Sequence, residues 1–246
     1  MDVMFLMETW HDSNSVSLSR LRADGFQVVD RPRPRQSADT MATNYGGVAA
    51  VAVQGVRLTH IDLGVTPGTF ELLCVRVVYG SSSCVVAAVY RPGSVTVTTA
   101  FFGELSDVLD CILTFAEPVM LAGDVNIRLD RPTDADAVQF TELLDAHGFA
   151  NHVTSPTHEL GGMLVSRVDL PPLHVDVHDV GLSDHRLLQW SVQLMRPAPV
   201  YTTTTSRPWS RLDADAFRQR CWHHLCVSQT RGQRSMSTIW CNSMTT

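Results

Sequence analysis

Short apolar runs, each bounded by Gly, Pro or Ser, recur along the chain and set its main pattern. Runs rich in Val, Leu and Ile that end at such residues are typical of β-strands. The runs that predict strands are 2–8, 26–30, 47–53, 56–63, 69–79, 83–90, 118–123 and 185–194. Many strands with hairpin-like neighbours and few helices predict two mostly antiparallel sheets.

Two segments predict helices. In 97–116, apolar residues recur at helical spacing. In 134–147, Thr133 is the expected N-cap, acidic residues occupy the first turn, and Gly148 suits the C-terminal end. We therefore expect an α/β fold in which helices flank both sheets.

The composition changes after residue 195. A Pro-containing stretch at 196–199 and a Thr run at 202–205 resemble a linker, and 213–222 holds one weak helical pattern. We therefore expect one domain over 1–195, followed by a linker and a poorly structured tail over 196–246. A chain of 246 residues is long enough for one large core in that domain.

Charge and cysteine usage exclude some classes of function. The net charge is −6 and the sequence pI is about 5.9, which argues against a standalone protein that binds DNA by neutralising phosphates. A metal-dependent nuclease, whose site is itself acidic, remains possible. The six cysteines form no CxxC pair, so reduced thiols in an intracellular protein are expected. The first residues lack a basic region and a long apolar run, so we expect no signal peptide, and no apolar run reaches the length of a membrane span.

Three short strings place carboxylates at the boundaries of predicted strands. They are Glu8-Thr9-Trp10, Gly123-Asp124-Val125-Asn126 and Ser183-Asp184-His185. A rigid sheet fixes side chains at strand ends while loops leave them open to a substrate. A carboxylate, an Asp/Asn pair and an Asp/His pair together indicate a hard divalent metal ion and phosphoryl transfer.

Further strings extend this set in a fixed order and spacing: Gly46-Gly47-Val48-Ala49, Val89-Tyr90-Arg91-Pro92, the segment from His152 to His158, and Leu182-Ser183-Asp184-His185. With them, residues 1 to about 195 resemble the endonuclease/exonuclease/phosphatase superfamily. More narrowly, they look like the AP-endonuclease-like domain of LINE-type non-LTR retrotransposons. The segment 207–222 resembles the region ahead of the reverse transcriptase in such elements.

The resemblance implies a four-layer α/β sandwich and phosphodiester cleavage that depends on Mg²⁺, with Mn²⁺ as the alternative ion. It also implies DNA as the substrate, a nuclear location, and a reverse transcriptase domain in the parent element.

The family's roles carry over position by position. Glu8 would ligate the metal ion, and Asp184 would support the metal and its waters. Asp124 would act on the attacking water or the leaving oxygen, beside Asn126 as a neutral phosphate donor. Tyr90 would donate to the phosphate, and His185 would stabilise the developing negative charge. The alternative interpretation of each is structural: a surface carboxylate, a turn cap, a core tyrosine.

Two departures from the family pattern bear on activity. Only seven residues precede Glu8, whereas the family pattern has an Asn-bearing strand before this Glu, so we expect that first strand to be missing. The Asp that orients the catalytic His is either replaced by Val165 or lost just before it, and Asp169 is about 13 Å further along an extended chain.

Three functions therefore stay open: a Mg²⁺-dependent endonuclease, an inactive remnant that keeps the fold, or another phosphoesterase of the superfamily. The missing strand also predicts an unpaired apolar edge and marginal stability.

Overall fold

The computed structural model describes residues 2–33, 46–154, 162–171, 173–181 and 185–193, and also 213, 215, 216 and 219. The chain divides into two compact units, Met1–Ala198 and Pro199–Thr246. In the second unit, residues 215, 216 and 219 are helical, and the carboxylate of Asp213 accepts the N–H groups of Asp215 and Ala216 at 3.0 Å. The remainder of the weak helix expected at 213–222 lies outside the described residues, as does the linker.

The described part of the first unit contains eleven strands and three helices. The strands are β1 (Val3–Met7), β2 (Gln27–Arg31), β3 (Val48–Ala52), β4 (Val56–His60), β5 (Glu71–Tyr79), β6 (Ser82–Tyr90), β7 (Val119–Asp124), β8 (Phe149–Asn151), β9 (Gly162–Arg167), β10 (Val175–His178) and β11 (Leu187–Trp190). The helices are α1 (Val16–Ala23), α2 (Thr99–Leu113) and α3 (Ala135–Ala146). No helix among the described residues is long and apolar enough to cross a membrane.

The strands form one large sheet and two small ones. The large sheet has six strands in the order β4-β5-β6-β7-β9-β8, and only β6 and β7 run parallel. A three-stranded sheet has the order β1-β3-β2, and β10 pairs with β11. These pairs are antiparallel, so the mostly antiparallel architecture predicted from the sequence is confirmed.

The six-stranded sheet buries both of its faces, as a central layer must. On one face, Val85 and Leu121 pack against α2 and α3. On the other face, Leu73 and Val86 pack with Val48 and its neighbours on β3. Helix α1 contacts β2 of the smaller sheet. The fold is therefore the α/β sandwich that the sequence predicts, in which the six-stranded sheet packs face to face with the three-stranded sheet.

Helices α2 and α3 begin with different caps. The Thr98 side chain accepts the N–H of Phe101 at 3.3 Å and starts α2. Helix α3 begins after Asp134, whose side chain makes no capping hydrogen bond. The predicted N-cap at Thr133 is therefore one residue too early. At its C-terminal end, Gly148 has φ +70°, the left-handed conformation that favours glycine.

Strand β1 is an edge strand within the described part of the chain. It pairs with β3 from Val3 to Met7, and its other side faces β11 across a cavity of about 530 Å³. The rings of Phe5 and Trp190 stack there with centroids 6.5 Å apart. Strand β1 thus presents a sheet edge beside a mostly apolar cavity.

Candidate active site

The parallel pairing of β6 and β7 places two polar side chains side by side at the carboxyl ends of these strands. Tyr90 and Asp124 are in register and are 3% and 8% exposed. The strands approach closely because residue 123 is glycine, with φ +147°. A Cβ at Gly123 would lie 1.9 Å from the carbonyl oxygen of Val89. The backbone therefore fixes both side chains at the same end of the sheet.

Glu8 comes to this site from the other sheet. It follows β1 directly and has φ +52°, and its carboxylate accepts a hydrogen bond from the Tyr90 hydroxyl. Burial first, and then the bond to Glu8, raise the pKa of Tyr90 far above its ordinary value. The phenol therefore stays protonated and acts as a donor. Arg33 lies 5.9 Å from the centre of the Tyr90 ring.

His185 comes from a third element, two residues before β11. Its Nδ1 lies 3.6 Å from Oδ2 of Asp124, and about one third of its side chain is exposed. His185 thus lies just before a strand. Asp184, expected to support the metal ion, lies outside the described residues.

The turn after β7 holds Asp124 in place. The backbone N–H of Asn126 donates to Oδ1 of Asp124 at 2.9 Å, and its side-chain Nδ2 donates to the Arg91 carbonyl at 2.7 Å. The Arg91 guanidinium, itself buried, donates to the carbonyls of Val125 at 2.5 Å and Asn126 at 2.6 Å. Burial lowers the pKa of Arg91 from its ordinary value. The Val89-to-Pro92 string contains Arg91, but sequence reasoning assigned it no role.

The cavity beside β1 joins four of the six predicted site residues. Glu8, Tyr90, Asp124 and His185 line it, together with the exposed ring of Trp10. Asn126 does not line the cavity, since its amide is bonded to the Arg91 carbonyl. Apolar side chains of β1 and β11 form the rest of the wall. A polar end on an otherwise apolar cleft is the usual form of a ligand site.

The donor set at the polar end fits a hard divalent cation. Glu8 and Asp124 supply carboxylates on the cavity wall, and the Tyr90 hydroxyl donates to Glu8. Mg²⁺ is typically held by one or two carboxylates, with waters and substrate phosphates completing its shell. The described residues contain no group of three or more His, Cys, Asp or Glu side chains arranged for a metal ion, which is compatible with that sparse ligation.

The register of β9 bears on one of the two alternatives for the His-orienting carboxylate, its replacement by Val165. Gly162 is the residue paired with Asp124, whereas Val165 pairs with Leu121 and is buried on the helix side of the sheet. An Asp at position 165 would face α2 and α3 instead of His185. Asp169, beyond the far end of β9, pairs with Arg167 at 2.5 Å.

The two other histidines considered from sequence have different outcomes. Nε2 of His152 lies 2.7 Å from the hydroxyl of Ser166, which is fully buried. His152 thus has a structural contact on β9. His158 lies outside the described residues.

Two packed sheets with flanking helices and carboxylates at one end make this an α/β sandwich of the phosphoesterase class. The sequence profile of the Endonuclease/Exonuclease/phosphatase family matches residues 1–214, and the chain belongs to this family. Its members are hydrolytic nucleases and phosphatases that generally use divalent metal ions. No curated protein sequence matches the chain.

Solved structures show the same fold at low sequence identity. The endonuclease domain of TRAS1, a telomere-specific non-LTR retrotransposon, is 14% identical with a TM-score of 0.53, covering 69% of this chain and 79% of that one. The 3′ phosphatase NExo from Neisseria, solved with a product DNA hairpin, is 17% identical with a TM-score of 0.52, covering 78% and 89%. An AP endonuclease from Archaeoglobus fulgidus is 14% identical with a TM-score of 0.54, also covering 78% and 89%.

Proposed function

We propose that this chain is a Mg²⁺-dependent DNA endonuclease domain of the non-LTR retrotransposon type. The observation that carries the proposal is the convergence of Glu8, Tyr90, Asp124 and His185 on one cavity from the ends of strands in all three sheets. DNA as the substrate is supported by the retroelement-like segments 152–158 and 207–222. It is also supported by the likeness to a retrotransposon endonuclease and to a phosphatase bound to DNA.

Glu8 would hold the metal ion together with Asp184. Glu8 is exposed to solvent at the cavity mouth, where waters and a phosphate can complete the ligand shell. When bound, a divalent cation acts as a Lewis acid toward the phosphoryl oxygens. The Tyr90 hydroxyl holds one oxygen of Glu8 and thereby limits the orientations of the carboxylate.

Asp124 and His185 would carry the proton transfer and charge stabilisation. One oxygen of Asp124 accepts the Asn126 N–H, which leaves Oδ2 on the side of His185. We assign Asp124 to orient and deprotonate the attacking water. His185 would donate to the phosphate as negative charge develops. The phosphate contact of Asn126 stays a prediction, since its Nδ2 now donates to Arg91.

Plasmid nicking tests this proposal directly. The full chain should nick supercoiled plasmid with Mg²⁺, should lose this activity with EDTA, and should lose it in Asp124→Ala. Asp107→Ala is the matched control, because Asp107 is an exposed carboxylate on α2. Equal nicking by the wild type and Asp124→Ala would contradict the assignment.

A second candidate is an inactive remnant that keeps the fold. It is favoured by β9, which pairs Gly162 with Asp124 and supplies no carboxylate at that position. A folded, cation-binding chain that does not nick plasmid would support this candidate. If the chain hydrolyses a soluble phosphomonoester in preference to plasmid, the third candidate, another phosphoesterase, replaces both.

A further inference from the structure

The loop after β1 has a conformation that its own sequence does not favour. Glu8 and Trp10 have φ values of +52° and +49°, a region that residues with a Cβ rarely adopt. Such backbone persists only where the surroundings determine it, and it is concentrated at functional sites. Both residues line the cavity, while the alternate residues Thr9 and His11 make contacts on the protein side.

Backbone and side-chain bonds tie this loop to β2 and to the residues just before β3, the two strands that share a sheet with β1. The N–H groups of Thr9 and Trp10 donate to the carbonyls of Gly47 at 3.2 Å and Gly46 at 2.7 Å. The Thr9 hydroxyl is hydrogen-bonded to Nδ1 of His11. On its other side, Nε2 of His11 lies 3.0 Å from Oδ2 of Asp30 on β2.

The imidazole of His11 is buried between Thr9, Asp30 and Gly47. Its side chain is 2% exposed, and Asp30 is itself paired with Arg22 of α1. A Cβ at Gly47 would lie 2.6 Å from the Thr9 hydroxyl oxygen and 2.9 Å from Nδ1 of His11. Glycine at position 47 therefore leaves just enough room for the Thr9–His11 pair.

Both ring nitrogens of His11 take part in this chain of bonds. A carboxylate only accepts, so Asp30 takes the Nε2–H of His11. The other ring nitrogen, Nδ1, is bonded to the Thr9 hydroxyl. Every polar atom of the imidazole is thus used to connect Asp30 to Thr9, the residue next to Glu8.

We propose that His11 is a positioning residue: the chain Asp30–His11–Thr9 holds the left-handed loop that presents Glu8 to the cation. The inference rests on the proposed function of Glu8 as a metal ligand. His11 does not line the cavity, so it acts through Thr9 and the loop. Its loss should weaken cation binding because Glu8 would sample other orientations.

The experiment measures Mn²⁺ binding to the full chain without DNA, by electron paramagnetic resonance, with Mg²⁺ dependence of nicking as the second readout. His11→Ala should weaken Mn²⁺ binding about tenfold, the scale seen when groups that orient metal ligands are removed. His11→Gln should bind within about threefold of wild type, because its amide nitrogen reaches the Nε2 position and donates to Asp30. His11→Asn, whose amide is too short to reach Asp30, should behave like His11→Ala.

The matched control is His147→Ala. His147 is half-buried and bonded to the Ser106 hydroxyl at 3.2 Å and the Leu143 carbonyl at 2.8 Å, at the end of α3. Like His11, it contacts both a hydroxyl and a carboxylate, since its Nε2 also lies 3.4 Å from Oδ1 of Asp110, but it does not line the cavity. It should lose thermal stability without any change in Mn²⁺ affinity.

The outcomes separate this inference from the proposed function. Weaker binding in His11→Ala and His11→Asn but not in His11→Gln supports positioning, even if no variant nicks plasmid. If His11→Ala does not fold, the Gln and Asn pair decides. The inference is overturned if all variants bind Mn²⁺ alike, if His147→Ala weakens binding equally, or if the wild type binds no Mn²⁺.

Discussion

Tyr90 is buried at the end of β6, and its hydroxyl donates to Glu8, a residue of the other sheet. The raised pKa of the phenol keeps this donor protonated. Removing the hydroxyl leaves the ring and its packing in place. The energetic effect of the bond can therefore be separated from the hydrophobic contribution of the side chain.

Tyr90→Phe should lower the free energy of unfolding by about 1 kcal/mol, since Glu8 is exposed and water replaces part of the lost bond. Cation affinity and plasmid nicking should fall as well, because Glu8 loses the donor that limits its orientation. Chemical denaturation and Mn²⁺ titration check both effects. Tyr79→Phe is the control, because Tyr79 is 66% exposed at the end of β5, and it should change neither quantity.

His152 should make the fold sensitive to acid. Burial lowers the pKa of His152 below its ordinary value of 6.5, so the unfolded chain binds a proton more readily than the folded chain does. The contribution of neutral His152 to stability is complete above about pH 6.5 and is lost as the pH falls from there through the folded-state pKa.

Denaturant midpoints between pH 8 and pH 5 should show this loss in the wild type and a flatter profile in His152→Gln. His178→Gln, at an exposed position of β10, should keep the wild-type profile. Identical profiles for the wild type and His152→Gln would contradict the prediction.

Some site residues could be predicted from sequence because they combine unusual chemistry with strand boundaries. Glu8, Tyr90, Asp124 and His185 each belong to such a string, and the structure brings them to one cavity. Their catalytic roles stay predictions. His11 could not be found this way, because its importance depends on Asp30, which is distant in sequence and becomes a neighbour only when β2 and β3 pair.

At the scale of elements, the contact between β6 and β7 is what aligns Tyr90 with Asp124. The two strands are so close at position 123 that no side chain fits there, because an added Cβ would clash with the carbonyl oxygen of Val89. The positive φ of Gly123 adds a second penalty for any other residue. This single glycine therefore links the sheet geometry to the site geometry.

Gly123→Ala should reduce stability by about 2–4 kcal/mol, because the two strands must separate or shift. That corresponds to a fall in Tm of about 10 °C for a domain of this size. Gly55→Ala is the control: its φ is +96°, but a Cβ there meets nothing within 4 Å. Differential scanning calorimetry should show a clearly smaller shift for Gly55→Ala. Equal shifts would mean that backbone strain alone, without the clash, explains the effect.

Elements that the sequence did not reveal are those with weak patterns. Helix α1 buries only Leu18 and is started by Ser15, whose side chain accepts the Leu18 N–H, so no apolar stripe marks it. Strand β8 has three residues, too few for a periodic signal. Strand β9 is not among the predicted runs, and its register with β7 determines which residue stands opposite Asp124.

At the scale of the whole molecule, the smaller sheet and the β10–β11 hairpin leave a gap. Within the described residues, β1 pairs only with β3 and β11 pairs only with β10. The cavity between them has a volume of about 530 Å³ and mostly apolar walls. Adjacent strands lie about 4.8 Å apart, so an inserted strand could pair with both edges.

An open apolar edge has a cost in stability and in solubility. Unpaired strand edges promote association with other chains, and each buried backbone group without a partner costs about 1–3 kcal/mol. A few such groups are comparable with the whole stability of a typical domain, about 5–15 kcal/mol. We therefore expect the isolated chain to be marginally stable and prone to aggregate.

Fusing an alternating apolar and polar strand of about six residues before residue 1, through a short Gly/Ser linker, should raise the Tm and reduce aggregation. The new strand would pair with β1 and β11 and fill the cavity beside Phe5 and Trp190. The control is the same extension with two prolines, which cannot donate to a strand ladder. Thermal unfolding and light scattering at several concentrations measure both effects. If the wild-type chain already unfolds cooperatively as a monomer and neither extension changes its Tm, then the strand is dispensable and the edge of β1 is not the weak point of the fold.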